Sequence, residues 1–231
     1  MNGRTKTSEF RVTVVIPARN EEPTIGEIVT HAARHCEEVL VVDGHSHDRT
    51  AADAEEHGAR VVKDNKRGKG DAIRVGAQNA RYEIVVYMDA DGSHDPGDIG
   101  KLVAPIRKGE YDMVIGSRGK GGSDELHGDI EKLLRLVGSD IILIGINMRY
   151  KASLTDSQNG FRAIRRDVML ALDTKEDITT IEQEMTMRAL KLGYRVGEVP
   201  THEYERKAGN STIKLNRVWA RYVYSWLKGM V

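Results

Sequence analysis

The sequence predicts a single α/β domain built on a parallel, doubly wound sheet. Three observations carry this. Short apolar runs rich in β-branched residues, such as Val39–Val42 and Ile84–Met88, read as strands buried on both faces. They alternate with segments of helical periodicity, the order that builds parallel sheets. The chain has 231 residues, which suits one large domain better than two small ones.

In order, a polar tail (1–9) precedes a strand over Phe10–Ile16, closed by Pro17. Pro17-Ala18-Arg19-Asn20-Glu21-Glu22-Pro23 opens a helix reaching about His35; Asn20 suits its N-cap, and Pro23 is tolerated in a first turn. The second strand, Val39–Val42, stops at Asp43, and a helix follows over Asp48–His57. Arg60–Lys63 is a short strand, followed by Asn65-Lys66-Arg67-Gly68-Lys69-Gly70 and a helix over Asp71–Ala80. The strand Ile84–Met88 runs into Asp89-Ala90-Asp91-Gly92-Ser93-His94, then a helix spans Gly97–Lys108 and a strand Asp112–Gly116.

After Ser117 the pattern changes. Arg118–Ser123 reads as a flexible, lid-like loop, and Asp129–Asn147 as a helix. A polar turn, Thr155–Gly160, enters the strand Phe161–Ile164. Helices follow over Asp167–Leu172 and Ile178–Leu192, then a strand over Arg195–Pro200. A second basic loop, Arg206–Lys214, leads to a terminal helix (216–231) with Val218, Trp219, Tyr222, Val223, Trp226, Leu227 and Met230 at helical spacing. That stripe fits either a membrane interface or packing on the domain.

Asp89 and Asp91 flank one residue at the carboxyl end of a central strand, where open α/β sheets bind ligands. They can converge on Mg²⁺ or Mn²⁺ shared with substrate phosphates, or simply form a solvated turn. Gly68-Lys69-Gly70 before a helix is an anion cradle or a solvated basic turn; it matches neither the Walker nor the Rossmann spacing. The eight histidines show no convincing zinc spacing, and His94 stands out only because it adjoins the acidic loop. Lysine plus arginine equals aspartate plus glutamate, 35 each, so no global charge draws the chain to nucleic acid. Cys36 is the single cysteine, which fits a reducing, cytoplasmic compartment. Neither a secretory signal nor a membrane-spanning run is expected.

Taken in order, these motifs resemble family 2 glycosyltransferases, closest to the dolichol- or polyprenyl-phosphate mannose synthases. The matching pieces are Val14–Glu21, Val41–Thr50, Gly68-Lys69-Gly70, Met88–His94, Gly116-Ser117-Arg118, Thr155–Arg162, Gly193–Pro200 and Gly209-Asn210-Ser211 with Lys214. The resemblance implies the GT-A fold, a single Rossmann-like domain with a mostly parallel sheet flanked by helices. It implies transfer of a hexose, mannose or glucose, with inversion, from GDP-mannose or UDP-glucose to a polyprenyl phosphate. By the same resemblance, Pro17, Arg19 and Glu21 contact the nucleotide, with Lys69 and Ala90 also at the donor, and Asp43 contacts the base. Asp89 and Asp91 hold Mg²⁺ or Mn²⁺, with Ser93 at a third position. Arg118 meets the acceptor phosphate, and Arg206 and Lys214 clamp the donor diphosphate.

A phosphate acceptor is already anionic and needs cations rather than a base; Arg118, Arg135 and Arg162 are available, and arginine suits phosphate through its planar fork. A soluble or protein-borne hydroxyl acceptor needs a base, for which Asp156 is the best placed, unless it only caps its turn. A membrane surface, a membrane-anchored partner and a second copy of the chain remain open as partners.

Overall fold

The apolar runs become seven strands: β1 (Val12–Ala18), β2 (Glu38–Asp43), β3 (Arg60–Lys63), β4 (Ile84–Tyr87), β5 (Met113–Ser117), β6 (Arg162–Arg165) and β7 (Val196–Pro200). In this computed structural model, which describes residues 9–124, 130–207 and 215–230, they form one sheet in the order β3-β2-β1-β4-β6-β5-β7. The helices are α1 (Glu22–Ala32), α2 (Thr50–Glu56), α3 (Lys69–Asn79), α4 (Ile99–Arg107), α5 (Arg118–Gly121), α6 (Ile130–Tyr150), α7 (Arg166–Ala171), α8 (Ile181–Lys191) and α9 (Leu215–Met230). Lys214, the tail before Glu9 and the basic loop beyond Lys207 lie outside the described residues.

Side-chain alternation divides the core between the two sheet faces. Val12, Val14 and Ile16 join Val39, Val41 and Val86 beneath α1 and α4. Val15, Leu40, Val42, Val85 and Tyr87 pack on the other face against α3, α7 and α8. Each fully buried aliphatic side chain contributes roughly 1.5–3 kcal/mol. A third cluster joins Ile142 and Ile146 of α6, Met187 of α8, and Tyr222, Trp226 and Met230 of α9. The inner face of the terminal helix is therefore packing surface; the side chains of Val218 and Trp219 lie outside the described residues.

The sheet departs from the expected parallel pattern at one strand. β6 lies antiparallel between β4 and β5, while the other pairings are parallel. The long excursion through α6 brings the chain back along the opposite direction. Pro17 also continues β1 instead of ending it. β1 pairs with β4 only through Val15, so by Pro17 the neighbour that would need its N–H has ended, while Ala18 O still accepts from Gly44 N on the β2 side.

Two expected loops are ordered differently. Arg118–Gly121 forms a helical turn capped by Ser117, whose Oγ accepts from Lys120 N at 3.2 Å, and Gly121 sits so tightly on Thr201 backbone that a Cβ would collide. Lys69 and Gly70 belong to the first turn of α3. Among the described residues no helix is long and apolar enough to cross a membrane.

Candidate active site

Strand order places the site. The chain runs outward from β1 to β2 and β3 on one side and to β4 on the other, so the order reverses between β1 and β4. Open α/β sheets bind ligands at such a switch point, beyond the carboxyl ends of the strands. The loops after β1 (Arg19–Glu21), β2 (Gly44–Arg49) and β4 (Met88–Asp95) all emerge on that edge. The antiparallel β6 starts there, which brings in Thr155–Phe161, and α3 starts there after β3, which brings in Lys69.

The carboxylate loop is held from three sides. Asp89 N donates to His94 Nδ1 at 3.3 Å, and the His94 ring stacks on Phe161 at 4.9 Å between centroids. Asp91 Oδ1 accepts from Ser93 N at 3.0 Å and from Ser93 Oγ at 2.7 Å, so Ser93 orients Asp91 in this structure. Ala90 O accepts from Thr24 Oγ1 at 2.7 Å, which ties the loop to α1. Residues 203–207 then cross it: Tyr204 N donates to Ser93 O, and Lys207 N to Asp91 O. Gly92, at φ 81°, lies against the Lys207 side chain.

Cations meet both aspartates. Lys69 Nζ lies 2.7 Å from Asp89 Oδ1 and 2.8 Å from Glu182 Oε1, and Arg206 Nη1 lies 3.3 Å from Asp91 Oδ2. Burial pushes the Asp89 carboxyl up, but Lys69, His94 and Arg206 outweigh it and hold the acid below its usual range. Glu21 shows the opposite balance. Burial and then Asp91 raise it to about 7, with Asp89 and Asp48 adding and Arg206 opposing. Burial is the larger cause, and the part that Asp91, Asp89 and Asp48 add reports carboxylates crowded at this rim, whose charge a divalent cation would neutralise. The hard oxygen set fits Mg²⁺ or Mn²⁺. Among the described residues no three ligating side chains cluster, so two carboxylates would rely on nucleotide phosphates to complete the shell. Gly160 leaves room for this arrangement, since a Cβ there would stand 2.9 Å from Asp89 Oδ2 and 3.3 Å from Lys69 Nζ.

On the nucleotide side, Asp43 is buried at the end of β2 and accepts from Ser46 N at 3.0 Å. Arg19 is exposed and packs on Gly44; Glu21 N donates to Thr50 Oγ1 at 2.8 Å. The structure thus brings Pro17, Arg19, Glu21 and Asp43 to one rim, adjoining Lys69, Asp89, Ala90, Asp91 and Arg206.

Arg118 and Asp156 form a second unit. Arg118 Nε donates to Asp156 Oδ2 at 2.6 Å and Nη2 to Oδ1 at 3.1 Å, while Nη1 lies 3.4 Å from Glu203 Oε1. Asp156 also accepts from Gln158 N and Asn159 N at 2.9 and 3.1 Å, an Asx turn closing on itself. Burial raises Asp156, yet Arg118 and these N–H groups draw it below the usual carboxylate range. Glu198 fixes the same turn by accepting from Thr155 N and Asp156 N, both at 2.7 Å.

Two expectations change. Arg162 is not free to meet a phosphate: it is 1% exposed, and it donates to Asn159 O at 2.9 and 2.5 Å, Glu182 O at 2.7 Å, Ser157 O at 3.3 Å and Thr186 Oγ1 at 3.3 Å. Gly68 and Gly70 make room for protein rather than ligand. Gly70 N donates to Asp177 O at 3.0 Å, and a Cβ on Gly70 would overlap the Glu176 carbonyl. The side chain of Arg135 lies outside the described residues. Spacing did not reveal Glu182 or Glu203 as site residues; Glu182 follows Lys69 by more than a hundred residues. For Glu182 the available signal was a carboxylate in the first turn of a helix that carries Ile181, Met185 and Ala189 to the core.

Residues 13–172 match the family model described as Glycosyl transferase family 2. Glycosyltransferase AglJ of Haloferax volcanii is 33% identical over 87% of this chain, which spans 65% of that protein's length. An undecaprenyl-phosphate mannosyltransferase of Micrococcus luteus is 34% identical, with 87% of each chain covered. Among solved structures, glucosyl-3-phosphoglycerate synthase from Mycobacterium tuberculosis, in complex with Mn²⁺, uridine diphosphate and phosphoglyceric acid, superposes with a TM-score of 0.75 at 20% identity, covering 97% of this chain and 80% of its own.

Proposed function

This chain belongs to glycosyl transferase family 2, and we propose that it transfers a hexose, mannose or glucose, with inversion, from a nucleotide-diphosphate sugar to a polyprenyl phosphate, using Mg²⁺ or Mn²⁺. In this reading Asp89 and Asp91 hold the cation, Glu21 and Asp43 line the nucleotide, and Lys69 and Arg206 stand beside the diphosphate. A cation held by Asp89 and Asp91 would supply charge neutralisation to the departing nucleotide diphosphate. The presence of a polyprenyl-phosphate enzyme among the relatives supports the acceptor, and so does the presence of bound Mn²⁺ and uridine diphosphate in the structural neighbour for the donor side.

One observation carries the choice of acceptor. The best-placed base, Asp156, has its oxygens taken by Arg118, Gln158 and Asn159 and lies below the carboxylate range. That is a poor general base, which must receive a proton near neutral pH. A phosphate acceptor needs none. It asks for positioned cations; Arg118, 20% exposed, holds its fork on Asp156 and more loosely on Glu203, and would meet the phosphate by exchanging the longer of these contacts.

Such an acceptor sits in a bilayer. α6 exposes Val137, Ile141, Ile144 and Met148 at spacings of four, three and four, one face of a helix, and exposed Arg149 and Lys151 follow. This ridge, rather than the inward-facing Tyr222, Trp226 and Met230, is the surface we assign to the cytoplasmic membrane face. The test is transfer from labelled GDP-mannose and UDP-glucose to polyprenyl phosphate in vesicles. Organic-extractable product supports the reading; label passing only to water-soluble hydroxyl acceptors overturns it.

A further inference from the structure

Lys69 bridges two carboxylates of unequal standing. Asp89 is partly open to the site, with 28% of its side chain exposed, whereas Glu182 is 3% exposed and lies in the first turn of α8. Its Oε1 meets Lys69 at 2.8 Å, and its Oε2 has no hydrogen-bond partner among the described residues. An unpaired buried carboxylate oxygen is costly, so a nearby cation is held firmly. The backbone around the pair is fixed as well. Gly70 N donates to Asp177 O just before α8, and Arg162 Nη1 donates to Glu182 O.

A cation on Asp89 and Asp91 would compete with Lys69 for Asp89. We infer that Glu182 is the positioning residue that keeps the Lys69 ammonium in the site when Asp89 turns to the cation. This rests on the cation reading of Asp89 and Asp91. Lys69 then remains as a fixed positive charge beside the phosphates instead of leaving with its first partner. Glu182 touches no substrate in this role; it acts through Lys69.

Acylation of lysines by acetic anhydride, read at Lys69 by peptide mass spectrometry, tests this without turnover, since only the neutral amine reacts. In Asp89→Asn without metal, Lys69 stays far slower than exposed Lys151, because Glu182 alone retains it. In Glu182→Gln with Mn²⁺, Lys69 reacts faster than in the wild type with Mn²⁺, because no carboxylate then faces the ammonium. Labelling of Lys69 in Asp89→Asn at the rate of exposed Lys151, or an unchanged rate in Glu182→Gln with Mn²⁺, overturns the inference. Mn²⁺ binding to the wild type, followed by electron paramagnetic resonance, separates the two failures. If Mn²⁺ does not bind, the cation reading falls, while the metal-free Asp89→Asn arm still decides whether Glu182 retains Lys69. Should Glu182→Gln melt early, that same arm decides.

Discussion

Arg162→Met separates a structural arginine from a phosphate-binding one. The Arg162 guanidinium is buried and donates to Asn159 O, Glu182 O and Ser157 O, binding the turn before β6 to α8. Methionine keeps the length and donates nothing. Thr186 Oγ1 can still donate its one hydrogen to Glu182 O or Ser157 O, but both bonds to Asn159 O go. Bonds from a charged donor are worth about 1.5–3 kcal/mol each, and removal of the buried charge returns part of the loss. A net loss of about 4 kcal/mol follows. For 231 residues the unfolding entropy is about 0.5 kcal/mol/K, so the melting temperature should fall by about 8 °C. Circular dichroism melts and urea titrations measure this. A variant that melts like the wild type yet loses transfer to polyprenyl phosphate would show that Arg162 works at the acceptor and that its buried hydrogen bonds do not hold the turn to α8.

Gly70→Ala should cost about 3 kcal/mol, because the new Cβ meets Glu176 and Asp177 backbone that cannot swing aside; urea unfolding reads it. Trp226→Ala should lower stability by about 3 kcal/mol, since the ring packs on Gly145 and with Ile146 and Met187; loss of liposome binding with an unchanged melt would contradict that packing role. The Asp156 carboxyl, held low in the fold chiefly by Arg118 against its burial, contributes stability that is present above its unfolded value of about 3.9 and is lost as pH falls further. Arg118→Ala should therefore lose stability at neutral pH and show a weaker additional loss in melts below pH 4.

How much of this was legible depended on range in sequence. Strands such as Val39–Val42 and Ile84–Tyr87 announce themselves because burial on both faces demands unbroken β-branched runs. The Asp89 and Asp91 pair was legible because its meaning comes from one strand end. Partners in the sheet were not: nothing local in Arg162–Arg165 states that it runs antiparallel between β4 and β5. The same holds for Glu182, whose role is set by Lys69 on another helix, and for Arg118, whose fork is set by Asp156 and Glu203. Gly68-Lys69-Gly70 looked like a phosphate turn because glycines before a helix look alike whether ligand or protein approaches them. Here Asp177 and Glu176 approach. Arginine in a four-residue central strand was itself a signal, since a charge there must find buried partners.

Calorimetric titration of the nucleotide-sugar donors, with and without Mn²⁺, into the wild type and Asp91→Asn asks whether Asp91 holds the cation on which donor binding depends. Asparagine can still accept from Ser93 N and Oγ, so the loop should hold its shape. Donor should bind the wild type only when Mn²⁺ is present, and Asp91→Asn should show no Mn²⁺-dependent binding at an unchanged melting temperature. Equal donor affinity with and without Mn²⁺, or an Asp91→Asn variant that binds donor and Mn²⁺ like the wild type, would contradict that role of Asp91.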